Sequence, residues 1–149
     1  MTNKFRSQNA ISAKEGRVFL NGVLMFQVKN VEATLEKEKA ELKVMGRRGT
    51  GRKTIGFSGT GTLTIYKVTS QFAVMAQDYV KKGIDPYFTL ETVTDDKSSG
   101  RGVERIALRD VNFDSYQVLN LDADGEALEE EMPFSFEDLD VLGRLSNTI

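Results

Sequence analysis

Two stretches of this chain combine residue types and spacings that could do chemistry. The first holds Gly46, Arg47, Arg48, Gly49, Thr50, Gly51, Arg52 and Lys53. Gly46 and Gly51 have the spacing of a phosphate-binding loop, in which G-x-x-x-x-G-K-[ST] leads from a strand into a helix. Here Arg52 stands where lysine is required and Lys53-Thr54 come one residue late. The residues that follow alternate as a strand does, so no helix N-terminus is available to hold an anion. The second stretch is residues 120–131. Asn120, Asp122 and Asp124 fill the first, third and fifth places of an EF-hand calcium loop, Gly125 the sixth and Glu131 the twelfth. Such a loop needs a helix on each side. These flanks alternate, and Pro133 follows almost at once. The expected structure is a strand-connecting turn on Asp124-Gly125.

Other chemistries are closed by absence. The chain has no cysteine and no histidine. That removes thiolate metal sites, disulfides, the commonest general base, Ser-His-Asp triads and Cys-His pairs. No metal or cofactor is expected. An enzyme would have to work with paired carboxylates, as a glycosidase does. Acids are plentiful, but none is marked out by its neighbours. A net charge of −2 with 28% charged residues gives no global case for nucleic-acid or membrane binding. No apolar run approaches membrane-spanning length, and the N-terminus has no signal-peptide core.

The charge is nevertheless unevenly placed. Residues 43–53 carry Lys43, Arg47, Arg48, Arg52 and Lys53 and no acid. Residues 122–140 carry Glu129, Glu130, Glu131, Glu137, Asp138 and Asp140 among their acids and no base. Two readings stand. The patches neutralise each other within one molecule or are simply solvated. Alternatively, the basic loop of one copy meets the acidic region of the next, a heterologous contact that gives rings or filaments. Acids lining a pore would also repel DNA phosphate, so that a polyanion could pass without sticking.

The elements that position these groups are mostly strands. At 149 residues one domain is expected, residues 16–149, preceded by an arm, residues 1–15, with only Phe5 and Ile11 as large apolar anchors. Asn21-Gly22 between apolar runs predicts a tight hairpin over 17–28. Residues 28–35 and 40–44 alternate in opposite parity around the charge tract 36–39, as a new strand or a bulge would; this predicts two strands, with a continuous helix over 31–45 as the rival. Residues 57–68 alternate strictly: Phe57, Leu63 and Ile65 on one face, and Ser58, Thr60, Thr62, Thr64 and Tyr66 on the other. A helix follows, capped by Thr69 or Ser70, with an apolar stripe of Phe72, Met75, Ala76, Tyr79 and Val80 and a stop at Gly83. Further strands are expected over 87–93, 103–111, 113–121 and 132–136, and residues 137–149 could be a strand or a docking segment. The expectation is a mainly β fold of two packed antiparallel sheets, a sandwich or barrel of seven or eight strands, with one helix.

These residues resemble a known family. The runs 44–51 (VMGRRGTG), 56–64 (GFSGTGTLT) and 68–72 (VTSQF), with the late motif 134–140 (FSFEDLD), resemble the XkdM-type tail tube proteins of contractile phages, PBSX-like elements and R-type bacteriocins. The resemblance covers nearly the whole chain. It implies two packed sheets with a flanking helix, a fold shared with the type VI secretion tube. It implies hexameric rings whose inner sheets join into one barrel and stack into a tube. Implied partners are further copies of itself, a tail sheath protein, and baseplate and tape-measure proteins. DNA would pass the lumen without specific binding, nothing would insert in a membrane, and the particle would be assembled in the bacterial cytoplasm. The loop 46–56 would make subunit or ring contacts, with the arm beside it. A rival reading from the residues alone is a β-barrel module for single-stranded nucleic acid, its basic loop tracking phosphate and Phe57 or Tyr66 stacking bases.

Overall fold

The computed structural model describes residues 5–125 and 127–147. Strands β1 (Arg17–Leu20) and β2 (Val23–Leu24) form the expected hairpin. Its turn residues Asn21 and Gly22 both take positive φ, 51° and 83°, as a two-residue turn of this hand requires. Then come β3 (Val28–Leu42), β4 (Gly51–Tyr66), α1 (Gln71–Lys82), β5 (Phe88–Asp95), β6 (Val103–Phe113), β7 (Glu129–Phe136) and β8 (Asp138–Gly143). Pairing is antiparallel throughout, in the order β2-β1-β5-β6-β7-β4-β3, with β8 also on β6.

The eight strands thus form one continuous sheet rather than the two separate sheets expected. Strand β6 is the fold line. One of its edges pairs with β5; the other is shared between β8, at residues 105–109, and β7, at Asn112 and Phe113. Between them Asp110 sits in the left-handed region, φ 52°, and the register with β5 slips. The slip switches parity, so Leu108, Val111 and Phe113 are all buried.

The two wings enclose one core. On the β3-β4-β7 wing, register places side chains in rows: Val28, Ile65, Glu130; Val31, Leu63, Met132; Ala33, Gly61, Phe134; Leu35, Gly59, Phe136. Val18, Leu20, Leu90, Leu108 and Val111 face them from the other wing. Phe113 links the wings, edge-on to Phe134 at 6.2 Å and to Phe72 of α1 at 5.6 Å. Fully burying side chains of this size is worth about 1.5–3 kcal/mol each.

Several expectations need correction. Residues 28–35 and 40–44 do not form two strands: β3 runs unbroken to Leu42, and the parity change is a register shift at Glu38 and Lys39. Residues 114–125 form no strand, although 113–121 alternates. Strand β7 begins three residues earlier than expected, which puts Pro133 in its middle. The missing N–H is tolerated because β6 pairs only with Phe134 and Ser135. Helix α1 has the expected limits, and Gly83, φ 71°, closes it by donating its N–H to the Tyr79 carbonyl at 2.9 Å. Its stripe is shallower than expected. Phe72 is buried and Met75 packs on the core, but Tyr79 and Val80 are exposed, so only the first part of α1 packs on the core.

Candidate functional site

The feature that stands out is how far β3 and β4 extend. Strand β7 covers β4 only from Gly59 to Tyr66. Residues 51–58 pair with β3 alone, so β3 and β4 leave the body as a two-stranded ribbon about 26 Å long. Isolated ribbons of this kind are marginal in water. This one keeps large apolar groups in solvent on both strands, including Leu42, Ile55 and Phe57.

The base of the ribbon is locked by an arrangement that the sequence displays but does not explain. Gly59 and Gly61 lie two apart on the core face, directly opposite Phe136 and Phe134. The rings occupy the space that side chains would fill. A Cβ at Gly59 would meet the Phe136 ring at 2.5 Å, and one at Gly61 would collide with the Phe134 ring and the Glu32 carbonyl. The two motifs G-x-G and F-x-F are thus one packing device.

The tip carries the residues first singled out. Residues 43–50 join β3 to β4, so strands flank the glycine loop on both sides and no helix follows. Gly46 takes φ 80°, and the Arg47 N–H donates to the Val44 carbonyl. Met45 is fully exposed. Arg52 lies 4.0 Å from Glu41; among the described residues Arg47, Arg48 and Lys53 have no ion-pair partner.

The six acids do not form a single surface. Glu129 pairs with Lys29 at 2.7 Å, and this hydrogen-bonded partner raises the pKa of Lys29. Asp140 holds Arg109 at 3.0 Å. Glu130 points into the core beside Ile65, with Lys67 at 3.7 Å and its second carboxylate oxygen unpartnered. Glu131 lies on the outer face of β7, and Glu137 and Asp138 at the β7–β8 corner, all exposed. Within 120–131 the turn is at Asp122–Gly125: the Asp124 N–H donates to Asp122 Oδ1, Gly125 takes φ 78°, and residues 129–131 already belong to β7. Glu126 lies outside the described residues. Among those described, no cluster of potential metal ligands is present, and no helix is long and apolar enough to cross a membrane.

The outer face of β3-β4-β7 is mainly polar, with Pro133 beside Thr62. Register puts Glu32, Thr34 and Glu36 beside Thr62, Thr60 and Ser58, and Glu131 beside Thr64. The hydroxyl row expected on β4 is therefore flanked by Glu32 and Glu36 on the β3 side, and by Glu131, Pro133 and Ser135 on the β7 side. A groove of about 760 Å³ lies on the opposite, core-facing side, between β3 and the other wing, lined by Val31, Leu35, Ile106 and Leu139 among others. The arm is anchored within the molecule: Asn9 Nδ2 donates to the Ser99 carbonyl at 3.1 Å and the Ser12 N–H to Asp96 at 2.9 Å. Residues 1–4 lie outside the described residues.

A smaller pocket of about 340 Å³ was not foreseen. Tyr79, Asp85, Asn112, Asp114 and Tyr116 line it. They come from four separate places, α1, the turn after it, the end of β6 and the loop beyond, so no sequence spacing announces them. Asn112 Nδ2 donates to Asp85 at 2.8 Å. The Tyr116 hydroxyl has no hydrogen-bond partner, and burial raises its pKa.

Comparison with known proteins gives a consistent answer. Residues 3–143 match the family model DUF2001, described as Phage tail tube protein. The chain is 61% identical over 143 residues to the phage-like element PBSX protein XkdM of Bacillus subtilis strain 168, covering 96% of this chain and 97% of that one. A solved protein from Bacillus subtilis is 57% identical, with a TM-score of 0.54, over 93% of this chain and 100% of its own. A chain of the sheath-tube complex of an extracellular contractile injection system has the same fold, with a TM-score of 0.71 at 8% identity, over 91% of this chain and 93% of its own. The chain belongs to the phage tail tube protein family.

Proposed function

We propose that this protein is the inner-tube subunit of a phage-like contractile tail, and that it assembles as stacked hexameric rings. Its role is structural and geometric rather than catalytic: it forms a rigid conduit inside a sheath. The observation that carries the reading is the projecting ribbon. A two-stranded extension with apolar side chains in water and unpaired arginines at its tip has no stabilising role in a lone molecule. Against a neighbouring copy it gains both burial and charge partners. Residues Gly46, Arg47, Arg48, Gly49, Thr50, Gly51, Arg52 and Lys53 then form the contact. Of the six acids, Glu131, Glu137 and Asp138 stay free of opposite charge in the monomer and are available to other copies.

The polar face of β3-β4-β7 suits the lumen. Hydroxyls flanked by Glu32, Glu36 and Glu131 hold water and repel phosphate, so DNA slides rather than adheres. The tail sheath, baseplate and tape-measure proteins are the further partners, in a virion or tail-like particle assembled in the bacterial cytoplasm. The test is the variant Arg47→Glu with Arg48→Glu. It should keep the wild-type circular dichroism spectrum and melting temperature yet fail to form tubes under the electron microscope. Normal tubes from this variant would remove the tip from the contact.

A further inference from the structure

The ribbon tip lies at one end of the strand axis. At the other end β4 stops at Tyr66, α1 begins, and the chain from β6 runs back along β7, where the Asp114 N–H donates to the Pro133 carbonyl and Gln117 accepts from the Glu131 N–H. The 340 Å³ pocket is lined by Tyr79 of α1, by Asp85 and by the end of β6, where Asn112 pairs with Ser135 in the row of Thr60.

We infer that this pocket is the receptor for a ribbon-tip arginine, Arg47 or Arg48, of a second copy. The inference rests on the tube reading above and names the surface that the tip meets. Its chemistry is that of a guanidinium site. Asp85 and Asp114 are both exposed carboxylates, and among the described residues neither has an ion-pair partner. Tyr79, on the rim, is 58% exposed and offers a ring face to a cation. Asn112 fixes Asp85 from within at 2.8 Å, so the carboxylate is oriented before a partner arrives. The chain that continues from the pocket residues exposes Val118, Leu119 and Leu121, the last at 81%, which match the exposed Val44 and Met45 beside the arginines. Basic centre with apolar flank meets acidic centre with apolar flank. The acids of β7 and β8 are less suited to this role, since Glu129, Glu130 and Asp140 already have bases of their own chain.

The test uses full-length chains and measures pelletable tube, with melting temperature as the fold control. Asp85→Lys with Asp114→Lys should fold and lose tube at least about tenfold. Arg47→Glu with Arg48→Glu should do the same. Mixing the two defective proteins should restore tube, because the acidic tip of one now fits the basic pocket of the other. A chain carrying all four reversals should also assemble. If the pocket variant forms tubes normally, or the mixture and the four-fold variant both stay dispersed, the pocket does not receive the tip, and the tube reading stands on the wild-type result. If the wild type forms neither rings nor tubes, the tube reading falls and takes this pairing with it.

Discussion

Glu130 shows how a single residue departs from its pattern. Alternation along β7 makes it an inward position, in the row of Val28 and Ile65, yet it is a carboxylate 4% exposed. Its one basic neighbour, Lys67, lies at 3.7 Å, and one carboxylate oxygen is unpartnered. A buried pair with incomplete hydrogen bonding contributes little net stability, but removing one partner strands the other. Glu130→Met should therefore be neutral or raise the melting temperature. Lys67→Ala should destabilise by about 1–3 kcal/mol, less than for a fully buried pair, because Lys67 is partly solvated. Equal losses in denaturant titrations of the two variants would contradict this ordering. Gly61 makes the opposite kind of argument. A methyl there has no room between the Phe134 ring and the β3 backbone, so Gly61→Ala should cost about 1–3 kcal/mol by overpacking, measured in the same way. Gain of stability would mean that the ring moves aside freely. The Gly-aromatic pairing was written in the sequence as two motifs spaced two apart. What the sequence lacked was the register that sets them opposite each other.

At the scale of elements, the arm and the ribbon differ in how they are held. The arm hangs on Asp96, whose carboxylate accepts the Ser12 N–H at 2.9 Å and the Ser98 hydroxyl at 2.7 Å. The Ser12 N–H first, and then the Ser98 hydroxyl, hold the Asp96 pKa below its ordinary value. A depressed carboxylate supplies stability that is complete above its unfolded pKa, about 3.9, and is lost as pH falls through the lower folded value. Acidification below about pH 4 should thus release the arm, and Asp96→Asn should release it at neutral pH. Amide exchange at Ser12 reports both; unchanged protection would place the anchor elsewhere. Elements with local signals were legible. Asn21-Gly22 announced its turn, and α1 was bounded by Ser70 and Gly83. Elements defined by partners were not. The charge tract 36–39 looked like a break, because β3 there has both faces in solvent and no burial pattern to follow. Beyond Phe113 the chain meets the edge of β7 through one backbone bond, Asp114 N–H to the Pro133 carbonyl, and the Gln117 side chain then takes the Glu131 N–H, so no ladder forms along 114–121. The parity switch at Asp110 was invisible, since aspartate does not signal a left-handed residue as glycine does.

At the scale of the molecule, charge and apolar surface are sorted by position. Unpaired arginines and exposed Met45 gather at the ribbon tip, exposed carboxylates and leucines at the far end, and hydroxyls with carboxylates along one sheet face. The family was legible from the glycine-arginine run and the strand that follows it. The 340 Å³ pocket was not, because its six lining residues come together only when α1 and the end of β6 fold against one another. The proposed cyclic, stacked association would give the polar face of β3-β4-β7 and the ribbon a purpose that a lone molecule does not. The most direct measurement is electron microscopy of the concentrated wild-type protein, with an averaged reconstruction of whatever forms. The account predicts hollow tubes of six-fold rings, with Thr60, Thr62 and Glu131 facing the lumen and residues 43–50 reaching into the next ring. Dispersed monomers at every concentration, or tubes with that polar face turned outward, would contradict it.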